Sequence, residues 1–502
     1  MKKFLLLWAL SACLYNCQST TETETLSGAQ AAKIYCSSCH QYPEPGLLDK
    51  ASWEEYMLPR MGYMLGFYPD AETRSSLIEA GEGGQRVEAA QIYPKEPKLD
   101  AETWQAIQDF YLQGAPEKLD LPEPLAISKN LTLFEATFPD TRLSPPSTTL
   151  LRFNKDGSLY LGDAHTKSLL HFDEDLGLIK AGQVQEGAVH VHDANGDLWI
   201  TNMGSFSPTD AAEGSIVVFP KNGKPYLPIR NLQRPVHANY GDLDQDGQED
   251  LVICEFGKWT GRLSWWRKGS DGKFFGTTVT NRPGAIKSYL QDMNGDGQLD
   301  ILALFGQGNE GIFWFDLQPD GSFVQHVVVS FPASYGSSNF RLVDANGDGH
   351  FDMIYTCGDN ADFGPILKPY HGIRILLNDG QQGFSEAHFI PLAGAYDAYP
   401  ADFDQDGDLD LAAISFFPDF VHQPEGGFVF LENLGDFTFS PQTFPAVEAG
   451  RWIVLDAGDP DGDGDLDLAL GSLAFEVIPK GEWVDRWVEQ GIPMVLLENK
   501  TN

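Results

Sequence analysis

Asp402-Phe403-Asp404-Gln405-Asp406-Gly407-Asp408-Leu409-Asp410 is the clearest of five near-copies of one loop. The others begin at Asp242, Asp292, Asp344 and Asp459. Oxygen-bearing side chains fill positions one, three, five and nine, and Gly fills position six. The full ligand-type set is Asp242, Asp244, Asp246, Asp250, Asp292, Asn294, Asp296, Asp300, Asp344, Asn346, Asp348, Asp352, Asp402, Asp404, Asp406, Asp410, Asp459, Asp461, Asp463 and Asp467. Carboxylates spaced two apart, then a Gly for a sharp bend, suit a hard, oxygen-seeking cation such as Ca²⁺.

Position twelve separates this loop from the helix-flanked EF-hand, which needs a bidentate Glu there. Here it is Ile253, Ala303, Tyr355, Ala413 or Leu470. An apolar run such as Leu251-Val252-Ile253 follows each loop and reads as a buried strand. Loop and strand recur roughly every fifty residues, a period that signals a propeller or solenoid. Hairpin turns such as Asp271-Gly272, Asp320-Gly321 and Asp379-Gly380 fill the intervals, giving about four strands per period. Two earlier periods lack the full loop: Leu150 to Asp163, and the one holding Asp193-Ala194-Asn195-Gly196-Asp197, where the last Asp reads as lost. The count is seven blades, with six or eight as alternatives. Closure would pair a segment within 130–136, near Leu131–Phe134, with Met494–Leu497.

The chain has 502 residues and a formal charge of -38. Such a chain repels nucleic acid and anionic surfaces. Eighteen of its 72 acidic residues occupy the loop positions above.

Residues 1–17 read as an export signal, with Lys2-Lys3 before an apolar run from Phe4 to Leu10 that is too short to span a bilayer. It ends in two settings that resemble a bacterial lipobox, at Cys17 and, as the alternative, at Cys13. The expectation is an exported lipoprotein in the periplasm or on the cell surface, on a tether of residues 18–26.

Residues 27–118 read as a small helical domain. Ser27 and Gln30 form a capping box for a helix running into Cys36. Cys36-Ser37-Ser38-Cys39-His40 then has the spacing of c-type haem attachment,. Two thiols bond the porphyrin edge and the His reaches the iron. No second Cys or His pair lies nearby for zinc. His40 is the only His before His165, so the sixth ligand is sought among Met57, Met61 and Met64. Met61 is the candidate and Met64 the second choice. Met57 falls in an expected helix that Pro59 ends, with the other two in a loop beyond it. Asp100 caps a last helix from Ala101 to Gln113, with Trp104, Ile107 and Tyr111 on one face.

This stretch resembles a single-haem cytochrome c. Residues 119–146 are a Pro-rich linker, and 147–502 resemble the FG-GAP or VCBS-repeat propellers, including integrin α-chain blades. The expected fold is therefore multidomain: an all-α cytochrome c domain followed by an all-β propeller. The propeller resemblance implies calcium, up to five ions, in the full loops. The cytochrome resemblance implies one covalent haem.

The strands before each loop line a central channel and supply a candidate ligand site: His190, His192, His237, Lys287, Arg341 and Tyr399. The insertion from Gly358 to Gly372 reads as a surface loop. Cys254 and Cys357 read as isolated buried thiols. No catalytic residue is assigned. The first expectation is an electron-transfer lipoprotein whose propeller recognises a redox protein or a small molecule. The alternatives are a haem-coupled dehydrogenase with its substrate in the channel, and a surface adhesion propeller.

Overall fold

A computed structural model describes residues 26–361, 366–474 and 481–501 of the chain. The lipobox cysteines Cys13 and Cys17 and most of the tether lie outside the described residues. No described helix is long and apolar enough to cross a membrane.

The N-terminal unit is helical. Ser27 and Gln30 close the capping box on Gly28–Cys36, and the Asp100 side chain accepts the Thr103 N–H at the start of Ala101–Gly114. Ala31, Ala32, Trp53, Leu58, Ile107 and Tyr111 meet in one buried core. Pro59 does not end a helix, as the sequence reading expected. A wide π-type turn over Trp53–Met57 leads into a helix from Leu58 to Met64, with the Leu58 N–H reaching back to the Trp53 carbonyl. That turn, with Pro59 at the start of the next segment, absorbs the missing donor. Met61 and Met64 are therefore helical rather than in a loop.

The rest is a seven-bladed propeller of four-stranded sheets. The blades cover residues 148–183, 188–232, 235–280, 285–330, 337–391, 395–442 and 452–499. The second strand of each of the last five blades is buried along its whole length, as in Asp250–Glu255. A strand sandwiched between neighbouring blades must be apolar on both faces, hence the continuous runs.

Blade seven takes its outermost strand from far upstream. Phe134–Thr137 pairs antiparallel with the last strand, Phe134 opposite Asn499 and Thr137 opposite Leu496. This runs a few residues beyond the expected pairing. Phe134 sets the register, because its ring meets Phe430 and Phe403 edge-on at 5.3 and 5.8 Å.

Position nine of each loop opens the second strand, and its carboxylate is buried. In blade six, Asp410 accepts the Phe403 N–H at 3.2 Å and the Asn433 N–H at 2.8 Å. One side chain thus ties the loop to the end of the third strand. Asp352 does the same with Ala345 and Asn378, at 2.9 and 2.8 Å. Asp250 accepts from Lys268 and Asp467 from Asn499, at 3.1 and 2.6 Å. Blade two corrects the sequence reading. Asp197 stands opposite Ala194 as Asp250 stands opposite Gly241, and it accepts the Lys221 N–H at 2.8 Å. The loop has shortened while its last Asp has stayed.

Two predictions follow from this architecture. Phe134→Ala should cost about 3–5 kcal/mol in urea unfolding; a loss below about 1 kcal/mol would mean that the strand does not close the ring. The second concerns pH. Burial and the neighbouring loop carboxylates push Asp410 and Asp467 up to about 7. Without a cation, folding takes up a proton at each group between about pH 4 and about 7. Stability therefore falls as pH rises through that window. The buried neutral histidines of the channel act in the opposite sense, so the comparison is between chelator-treated wild type and Asp410→Asn. Between about pH 5 and about pH 7.5 the wild type should lose more of its urea midpoint than the variant. Equal losses would contradict the assignment.

Candidate functional site

The propeller has two unlike faces. The turns between first and second strands carry the acidic loops. Those between second and third strands carry the helical unit.

On the first face, carboxylate oxygens of Asp242, Asp244 and Asp246 lie within 4.8 Å of one another, as do those of Asp402, Asp404 and Asp410 and of Asp459, Asp461 and Asp463. In the other two full loops Asn294 and Asn346 fill position three. The position-one Asp folds the loop around itself: Asp292 accepts the Gly295 N–H at 2.7 Å and the Gly297 N–H at 2.9 Å. Position six must be Gly, since φ there is positive in every loop, from 84° at Gly247 to 99° at Gly407,. Clustered carboxylates repel one another, and an all-oxygen donor set suits a hard divalent cation.

On the second face, the helical unit rests on blades two to five. The Glu79 carboxylate accepts from Thr209 Oγ1 and from the Asp210 N–H, both at 2.8 Å. Asp210 is buried, and its Oδ1 accepts the N–H groups of Lys258, Trp259 and Thr260. Tyr93 meets Trp259 edge-on at 5.8 Å. The Tyr370 hydroxyl donates to the Leu47 carbonyl at 3.0 Å. A Cβ on Gly308 would lie 3.8 Å from the Cys39 carbonyl oxygen, so the Cys39 turn lies against blade four.

Cys36 ends the first helix and is buried, while Cys39 is exposed; both thiols are free. Burial raises the Cys36 pKa. An open depression of about 330 Å³ is lined by Ser37, Ser38, Cys39, His40, Gln41, Tyr42 and Asn309. His40 Nδ1 lies 2.8 Å from the Gln41 carbonyl oxygen. Held as the donor there, it leaves the Nε2 lone pair for a metal. Two unbridged thiols on one turn and an imidazole beside them are the groups that attach a porphyrin; Cys39 and His40 line the depression, whereas Cys36 is packed in the helical core and does not. The methionines are placed differently. Met57 and Met61 pack half-buried against the helical core, Met64 is half-buried, and none of the three lines the His40 depression.

The channel residues lie in the innermost strands, and most of their contacts reach the next blade. Asp397 receives both Arg341 Nε and Nη2, at 3.0 and 2.6 Å, and the guanidinium stacks over Tyr399 at 4.3 Å. His192 stacks on Tyr240 at 3.9 Å and approaches Glu249 at 3.6 Å. Asp456 accepts the Phe153 N–H at 2.8 Å. His190 and His237 face each other with centroids 5.1 Å apart. Burial holds His190 down to about 3 and His237 well below its ordinary value; nearby cations add to it. Both rings are half-exposed by area, but a narrow channel solvates an imidazolium poorly. The structure thus brings His190, His237 and Lys287 together on blades two to four and commits Arg341 and Tyr399 to packing.

Sequence reasoning missed Asp397 and Asp456, the carboxylates of this channel. Aligning the innermost strands on their loops would have found both, since Asp397 holds the place of Lys287 and Asp456 that of Arg341. It also misread the insertion after Cys357. Lys368, Tyr370 and His371 are at most 8% exposed, because this segment lies under the helical unit. Cys254 and Cys357 are buried free thiols.

A sequence family described as FG-GAP-like repeat matches residues 242–303 and 292–355. No curated protein matches the chain. Among solved structures, a catalytically inactive virginiamycin B lyase from Staphylococcus aureus with quinupristin is 11% identical, with a TM-score of 0.45 over 73% of this chain and 100% of that one. BBS1N in complex with ARL6DN is also 11% identical, with a TM-score of 0.45 over 74% and 98%. The chain carries FG-GAP-like repeats on a seven-bladed propeller.

Proposed function

We propose that this chain is an exported, membrane-anchored c-type cytochrome, with a calcium-stabilised propeller as its partner- or ligand-binding module. One observation carries the reading: Cys36 and Cys39 are free on one turn beside His40, whose Nδ1 is tied to the Gln41 carbonyl. A bound haem would supply one-electron chemistry at its iron. The chain's own residues would hold it. Cys36 and Cys39 would form the two thioethers, and His40 would give Nε2 to the iron with Gln41 fixing the ring. Met61, with Met64 behind it, is the proposed sixth ligand; from its present packing, the helix Leu58–Met64 would have to move its side chain toward His40. The acidic loops would bind calcium at modest affinity, suited to a compartment where the ion is abundant. Anchoring through Cys17 or Cys13 belongs to the same proposal. A charge of -38 favours a redox partner with a basic surface over nucleic acid,.

A haem-coupled dehydrogenase is the second reading. It is favoured by the His190, His237 and Lys287 group, which lies in the half of the channel nearer the helical unit.

Produced in a host that attaches c-haem, the protein should show a reduced-minus-oxidised haem spectrum. Cys36→Ala with Cys39→Ala should abolish it, and Met61→Ala should lower the midpoint potential. Colourless protein with both thiols titratable would overturn the proposal. Reduction of the haem by a small molecule alone, with no protein partner, would favour the dehydrogenase.

A further inference from the structure

Each innermost strand carries a bulge, and the first residue after it stands at the same level in every blade. These residues are Leu150 and Val454 in blades one and seven, His190, His237 and Lys287 in blades two to four, and Asn339 and Asp397 in blades five and six. One side of this level is apolar. Another is closed on itself, since Asp397 is spent on Arg341. The third side is open. Lys287 Nζ has an amide partner, Asn339 Oδ1 at 3.1 Å, and among the described residues it has no carboxylate within 4 Å. His190 Nδ1 is buried with no partner. His237 Nδ1 receives the Ser288 N–H only loosely, at 3.5 Å. One level further along, Arg152 stays 3.8 Å from Asp456, so it offers a second, weakly held cation.

Lys287 is half-buried, with its Nζ 5.4 Å from the centre of the Tyr289 ring, and an ammonium held in a narrow channel without a counter-charge is costly. Two uncharged imidazoles beside it cannot supply that charge. An N–H on His190 has nothing to donate to within the protein.

We propose that the channel between blades two, three and four binds a small monocarboxylate, paired with Lys287 and accepting a hydrogen bond from His190. A phosphate dianion would need two firm cations, and among the described channel residues Arg152 and Arg341 already face Asp456 and Asp397, which leaves Lys287 alone. A neutral ligand would leave it unpaired. The innermost strands begin on the side of the helical unit, so the ligand would sit in the half of the channel nearer Cys39 and His40.

The test is isothermal titration of the full chain in calcium buffer at constant ionic strength. The probes are acetate and L-lactate, each against its amide, with inorganic phosphate as a separate arm. At least one carboxylate should bind and its amide should not. Lys287→Met should weaken binding about tenfold or more, and Lys287→Arg should retain it. Equal affinity in Lys287→Met, equal affinity for acid and amide, or tighter binding of phosphate would overturn the proposal. So would the absence of heat with both carboxylates. If Lys287→Met does not fold, the wild-type comparison of acid with amide still decides. The readout needs neither haem nor a redox partner, so its failure is distinct from failure of the cytochrome proposal.

Discussion

A buried carboxylate at the start of the second strand is the constraint on which the ring depends. In most blades it accepts backbone N–H groups that strand pairing leaves unused at the blade corner. Where the carboxylate is ionised these bonds are charge-assisted and worth more than neutral ones, and an unmet buried N–H is expensive in either state. Blade two shows the hierarchy. It has discarded the acidic loop, yet Asp197 still holds the Lys221 N–H. The corner bond thus forms without the acidic loop. The acidic loop is an elaboration that gathers more charge around an already buried group, and in our reading a cation compensates that charge.

This arrangement divides labour between the two faces. The loop face is acidic and built of nine-residue loops of one repeated form. The opposite face accepts insertions, because turns there join the second and third strands away from the corner bonds. The helical unit, the segment with Lys368 and His371, and the helix Glu482–Gln490 all occur on that side. Glu79, Tyr93 and Leu47 fix the helical unit on blades two, three and five. The Cys39 turn is therefore held beside Asn309 rather than swinging on a tether.

What could be read from the sequence was what is local. The nine-residue loops gave the blade period, and the capping residues Ser27 and Asp100 marked helix starts. The apolar run after each loop marked the buried strand. What could not be read depended on distant parts of the chain. Nothing in the neighbourhood of Pro59 announces a π-type turn, so Met61 was expected in a loop. Nothing near Lys368 or Tyr370 shows that a helical domain lies over them. The six channel candidates all lie in the innermost strands, but Arg341 and Lys287 look alike in sequence. Only the blade beyond each, with Asp397 in one case and Asn339 in the other, separates a packed cation from an available one.

The claim most open to direct test is that cations compensate the clustered loop carboxylates. Elemental analysis of protein equilibrated by dialysis against about 1 mM calcium should find about one bound calcium per full loop above the buffer, and chelation should remove it with a fall in melting temperature. Protein that retains no calcium, and whose melting temperature is unmoved by chelator, would show that the corner bonds alone hold the ring and would contradict the account.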